Sequence, residues 1–147
     1  MSNLTVTTSI VLTHEGTVHD FSKSHSLTGI TSVSDNLIED IDTATVSVLA
    51  TIATQNAGAT FKDINFIYIE NKDTVNFCNI GYKDTGGSTV YFPLDAGRSI
   101  YFWNNQLVVS ESGAVLGALV DWDTVTAQFN TAVGDLKVFI CQVTAVV

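Results

Sequence analysis

Forty-eight of the 147 residues are β-branched: 19 Thr, 18 Val and 11 Ile. Branching at Cβ stiffens χ1 and crowds a helical turn, whereas on a pleated strand the branch packs against its neighbours. Such a chain favours strands over helices at almost every position, and an all-β fold is expected. Charged residues make up only 14% of the chain against about 25% in an average domain, and hydrophobic residues 46%, which excludes a disordered segment. The length suits one domain over residues 1–147, long enough to bury roughly 68–70% of its unfolded surface.

Six Lys and Arg stand against fifteen Asp and Glu, a net charge of −9, so the chain lacks the electrostatic footing to grip nucleic-acid phosphates or an anionic membrane. The first residues show no basic segment followed by an apolar run, and no secretory leader is expected. Cys78 and Cys141 match no zinc or redox spacing and read as reduced, half-buried thiols.

Leu4, Val6, Thr8, Ile10 and Leu12 alternate with Thr and Ser, the period-two signature of a first strand. Glu15-Gly16 marks a reversal into a polar returning strand over residues 18–27, expected at a sheet edge. Residues 31–42 read as a short strand or a loop crossing between sheets, with Val33, Leu37 and Ile41 as possible core contacts. Val46 to Ile52 alternate again, and the polar run over 54–60 closes that strand. Ile64, Phe66 and Tyr68 face one way and Ile67 and Ile69 the other, so this strand is expected at the centre of its sheet. The Asn71-Lys72-Asp73 turn predicts that residues 75–82 return as its partner. After a reversal at Gly86-Gly87, the strand containing Pro93, the only proline, belongs at an edge. Residues 98–103 follow, then an ambiguous stretch over 108–117, and finally a closing hairpin formed by 121–129 and 136–145. Eight to ten short antiparallel strands with little or no helix predict a single β-sandwich of jelly-roll type.

With 21 charged residues, much of the surface must be hydroxyl, amide and apolar. The last strand sharpens the point, because Leu136, Val138 and Ile140 face one side while Phe139, Cys141 and Val143 face the other, and both sides want burial. A sandwich buries one face of each sheet, so Leu136, Val138 and Ile140 are taken as a candidate subunit interface in a homo-oligomer. The simpler alternative is a central strand covered by the chain's own long loops.

Few constellations suggest chemistry. A four-residue loop over 15–18 would set His14 opposite His19, with His25 nearby, but no fourth ligand accompanies them and surface histidines are the preferred reading. Asp35, Asn36, Glu39, Asp40 and Asp42 crowd oxygen ligands without the spacing of a calcium loop, and read as a solvated acidic loop. Asp121-Trp122-Asp123 and the aromatic set Tyr68, Tyr82, Tyr91, Tyr101 and Trp103 suggest a sugar-binding cleft, in which Trp103 and Trp122 would make the glycan contacts. Strand-end polar groups beside a packed Trp, and aromatics of a core or interface, are the preferred reading of both. No nucleophile elbow or phosphate loop is present, and neither an enzyme nor a cofactor or metal is expected.

The run Phe66-Ile67-Tyr68-Ile69-Glu70-Asn71-Lys72-Asp73, residues 75–81, then Phe92-Pro93-Leu94-Asp95-Ala96-Gly97 and the strand over 98–102 resembles small β-sandwich virion proteins of tailed bacteriophages. The resemblance covers residues 4–12 and 61–143, rests on turn residues and alternating apolars, and breaks at the long connection over 106–120. It implies a capsid decoration or cement protein, made in the host cytoplasm and seated on the outer capsid surface. Such a protein is an oligomer, often a trimer, that bridges copies of the major capsid protein; the N-terminal strand or the loop Asp35 to Asp42 would face the shell. The alternative within the same resemblance is a neck, tail or fibre component that recognises a host glycan.

Overall fold

The computed structural model describes residues 2–51, 64–84, 88–102, 106–108 and 119–143, and every regular element among them is a strand. The ten strands are β1 (Ser2–His14), β2 (Thr17–Ile41), β3 (Ser47–Thr51), β4 (Ile64–Asn71), β5 (Cys78–Asp84), β6 (Thr89–Leu94), β7 (Ser99–Phe102), β8 (Gln106–Val108), β9 (Leu119–Phe129) and β10 (Gly134–Val143). They pair antiparallel in two sheets, ordered β1-β2-β10-β4-β7 and β3-β9-β5-β6, with β8 added to the start of β9. Setting β1 and β8 aside leaves two four-stranded sheets whose strands are dealt from the chain to one sheet and the other in turn, except for the β5–β6 hairpin, the wrapping of a jelly roll. The expected all-β sandwich is therefore present, with β4 inside its sheet and Pro93 on the edge strand β6.

The core lies between the sheets. Ile67, Ile69, Leu136, Val138 and Ile140 from the first sheet meet Cys78, Ile80, Tyr82, Val125, Ala127 and Phe129 from the second. Tyr82 and Phe102 pack edge-to-face at 4.7 Å, and Phe92 closes the aromatic group at 5.6 Å from Tyr82. Leu136, Val138 and Ile140 are thus not a subunit interface: they are 0%, 3% and 2% exposed within their own chain. The reason is the central place of β10, which pairs with β2 on one side and β4 on the other while the second sheet covers this face.

Two expected hairpins are instead arches between sheets. β5 pairs with β6 and β9, never with β4, and β10 pairs with β2 and β4, never with β9. The turns at Asn71 and Asn130 are stitched to other arches at the same end of the sandwich. The backbone N–H of Asn71 donates to Arg98 O at 2.9 Å, that of Lys72 to Asp135 O at 2.9 Å and that of Phe129 to Asp42 O at 3.2 Å. Asn71, fully buried, donates through Nδ2 to the carbonyls of Asn76 and Leu94 and accepts the N–H of Asp73 through Oδ1. A buried amide satisfied three times over holds the crossing in place. At Gly134 a Cβ would enter the ring of Phe129, so only glycine lets β10 start so close to the end of β9.

β2 departs furthest from expectation. Residues 17–28 pair on one side only, with β1, as an edge would, but the strand does not stop there: its 25 residues run on and, from Ile30 to Ile41, pair with β10 inside the first sheet. Residues 31–42, including the acidic group, belong largely to this strand. Gly29, at φ 74°, sits where the β1 register slips, and the β10 register slips beside it; such bulges bend a strand. From that bend, β1 and residues 17–28 leave the sheet as a two-stranded ribbon.

Candidate interaction surface

The ribbon closes at Glu15-Gly16, both at positive φ (49° and 80°), as a two-residue hairpin turn requires. His14 consequently faces Thr17, while His19 pairs with Leu12 and His25 with Val6. The expected His14–His19 opposition is not formed, because the loop is two residues shorter than the one that would create it. Register and alternation give the ribbon two unlike faces. One carries Thr5, Thr7 and Ser9 opposite Ser26, Ser24 and Ser22, whose hydroxyls bond across the strands at 3.4, 2.9 and 3.1 Å. The other carries Leu4, Val6, Thr8, Ile10 and Leu12 opposite Leu27, His25, Lys23, Phe21 and His19.

The base of this second face lies over the outer side of the first sheet. Phe66 and Cys141 point outward, away from the core, yet are only 4% and 1% exposed. Phe66 packs against Tyr101 at 6.1 Å and edge-on to Phe139 at 6.2 Å. The hydroxyls of Thr8 and Tyr101 share a 2.8 Å hydrogen bond, which joins the two opposite edge strands and shows that the ribbon has crossed the outer face. Leu4, Val6 and Thr8 are half-buried accordingly. The outer side of β10 is therefore covered in part by the chain's own ribbon, a strand pair where the simpler sequence expectation has long loops: Cys141 is buried there, Phe139 half-buried and Lys137 exposed.

Past Thr8 the ribbon stands free. Ile10, Leu12 and Phe21, on its apolar face, are 56%, 55% and 63% exposed, and Val11 and Val18 on the hydroxyl face are as open. At about 3.4 Å per residue, the six rows from Ser9 to His14 extend roughly 20 Å. Val33 and Leu37, on the outer row of β2 beside Cys141 and Lys137, are also exposed, and so are Val46 and Val48 at β3 and Tyr91 on β6.

The remaining sequence candidates are scattered. Asp35 lies between Val33 and Leu37 with its carboxylate 3.5 Å from Lys137 Nζ, and Asn36 Nδ2 donates to Ser34 Oγ. Asp40 takes positive φ (55°), and its N–H donates to Asp135. Glu39 is exposed on the strand. Asp42 turns inward to its own arch, accepting the N–H groups of Thr43 and Ala44 and the hydroxyl of Thr45; these bonds hold its carboxyl below the usual range. Asp73 does the same with the N–H groups of Asn76 and Val75. The Lys72 ammonium, 2.9 Å away, lowers Glu70 and is itself raised. Cys78 and Cys141 are both free and fully buried; burial pushes the Cys78 thiol up to about 11 and the Cys141 thiol upward as well.

The tyrosines do not form one platform. Tyr82 is in the core, where burial drives its phenol far upward, Tyr91 is on the second sheet's outer side and Tyr68 and Tyr101 are on the first's. Trp122 lies on β9, where only the backbone is described, and Trp103, the Gly86-Gly87 turn and residues 54–60 and 109–118 lie outside the described residues. Among the described residues there is no pocket and no group of three His, Cys, Asp or Glu placed to hold a metal ion. Comparison with protein-family models, curated proteins and solved structures finds no match for this chain.

The signal that locates the exposed ribbon was present in the sequence. β1 and the facing part of β2 alternate cleanly, but their opposing residues put apolar groups on one face and hydroxyls on the other. An alternation of that kind needs only one covered side, and nothing in it says how far along the ribbon the cover extends.

Proposed function

We propose that this chain is a non-enzymatic virion structural protein, a capsid decoration protein that oligomerises, as a trimer in the favoured form, and bridges neighbouring copies of the major capsid protein. The observation that carries this reading is the display of apolar side chains on a jelly roll with few charged residues: Ile10, Leu12, Phe21, Val33, Leu37, Val46 and Val48 are all exposed. Apolar patches of this kind mark contact surfaces. Attachment through several such contacts in one oligomer converts weak individual binding into avidity, so release from a shell demands several breaks together. The resemblance of residues 66–102 to phage virion proteins supplies the particular partner. The jelly roll itself serves lectins as well as capsids and does not choose between them.

The test is to quantify the chain against the major capsid protein in purified particles. A fixed stoichiometry with the shell, lost together with resistance to shell rupture when the chain is omitted, is the expected result. A few copies per particle would favour the neck, tail or fibre reading, with glycan contacts through Trp103 and Trp122 tested by Trp→Ala variants on a glycan array. Absence from particles would overturn both.

A further inference from the structure

We propose that the free half of the ribbon, residues 9–22, seats on the outer side of the first sheet of a second copy of this chain, over Val33 and Leu37. Two-stranded ribbons are at best marginally stable alone in water. This one continues about 20 Å past its last contact with its own sandwich and carries Ile10, Leu12 and Phe21 into solvent. The half that is covered shows what covers it: the same face, at Leu4, Val6 and Thr8, lies across the outer side of the sheet beside Phe66 and Tyr101. The free half thus repeats the chemistry of a contact the chain already makes, and the part of that outer side left open on another copy, at Val33 and Leu37, offers it a like surface.

That surface is open where the proposal needs it. Val33 and Leu37 stand exposed on the outer row of β2, beyond the reach of their own ribbon, with Asp35 between them. Charge points the same way. Residues 2–30 hold one Lys against two acids, −1 of the chain's −9, which leaves −8 on the rest. Two sandwiches brought face to face repel, whereas a nearly neutral ribbon reaches across the gap. Exchange of an identical element is a low-cost route to assembly, reciprocal in a dimer and cyclic in a trimer.

The proposal shares with the proposed function only the expectation of an oligomer. Particle stoichiometry tests that function; mass in solution tests the ribbon. Sedimentation velocity of the full chain should show a multimer. Replacing residues 9–22 by Asn-Gly, which joins the directly opposed Thr8 and Lys23 through a two-residue turn in the same hydrogen-bonding phase as Glu15-Gly16, should leave a monomer. The double substitution Leu12→Ser, Phe21→Ser changes two side chains that are exposed in the single chain, and should weaken assembly about tenfold or more even if the trimmed chain fails to fold. Chains carrying Phe21→Cys mixed with chains carrying Leu37→Cys should form an intermolecular disulfide, since both native thiols are buried. A monomeric full chain at high concentration would overturn the proposal. So would a multimer unchanged by the double substitution, and so would a ribbon needed only for binding to capsid shells, which would assign it to a foreign partner.

Discussion

Strand β10 and the outer half of the β1–β2 ribbon carry similar apolar alternation and end in opposite surroundings. β10 has strands on both sides, the second sheet on one face and the ribbon's base on the other, and its Leu136, Val138, Ile140 and Cys141 are all buried. The ribbon's Ile10, Leu12 and Phe21 have a partner strand but remain more than half exposed. Alternation records that a face is suited to burial. Whether it is buried depends on what the rest of the chain, or another chain, places against it.

Four measurements break or sharpen this contrast. The largest effect is expected at the sandwich's centre: Phe129→Ala should cost about 3–5 kcal/mol in denaturant unfolding, because a fully enclosed ring leaves a cavity behind. A loss under about 1 kcal/mol would mean that the core is no better packed than the ribbon. Next comes Asn71→Ala, expected to cost about 2–3 kcal/mol by orphaning the carbonyls of Asn76 and Leu94 and the N–H of Asp73 inside the arch end.

Acid should act through the same end of the molecule. The folded pKa values of Asp42 and Asp73 lie below the ordinary 3.8, so the stability they contribute is present above that value and is lost as pH falls through the folded ones. A melting-temperature profile from about pH 6 to pH 2 should fall at its acid end, and Asp42→Asn with Asp73→Asn should flatten that fall. The smallest effect belongs to the ribbon's hydroxyl face. Thr7→Ala or Ser24→Ala removes a solvent-exposed 2.9 Å bond and should change stability by less than about 0.5 kcal/mol. A larger loss would reveal that the hydroxyl face is covered too.

Much of the strand inventory was legible because its signals are local. Glu15-Gly16 between two alternating runs specifies a hairpin, since glycine accepts φ of 80° without strain, and Pro93 cannot serve inside a sheet. The pairings at Asn71 and Asn130 differ from the expected hairpins because an Asn-containing turn looks alike whether its strands return in one sheet or cross to another. What separates the cases is where Asn71 Nδ2 finds its carbonyls, at Asn76 and Leu94, and the second of these lies 23 residues away. The candidate interface at Leu136, Val138 and Ile140 is core for a related reason: alternation shows that both faces of β10 suit burial, but not that the second sheet, with Ile80, Val125 and Phe129, lies against this one.

The amino-acid sequence by itself determined that this protein is built of strands, where most of them run, that it forms one weakly charged domain and that its surface is unusually apolar. Those properties follow from Cβ branching, alternation and charge, which act within a few residues of one another. Only the tertiary structure decided which strands are neighbours, that β2 runs on for 25 residues through a bend at Gly29, and which apolar faces are left over. Those choices are set by long-range hydrogen bonds and burial, which bring together groups that the chain itself keeps far apart.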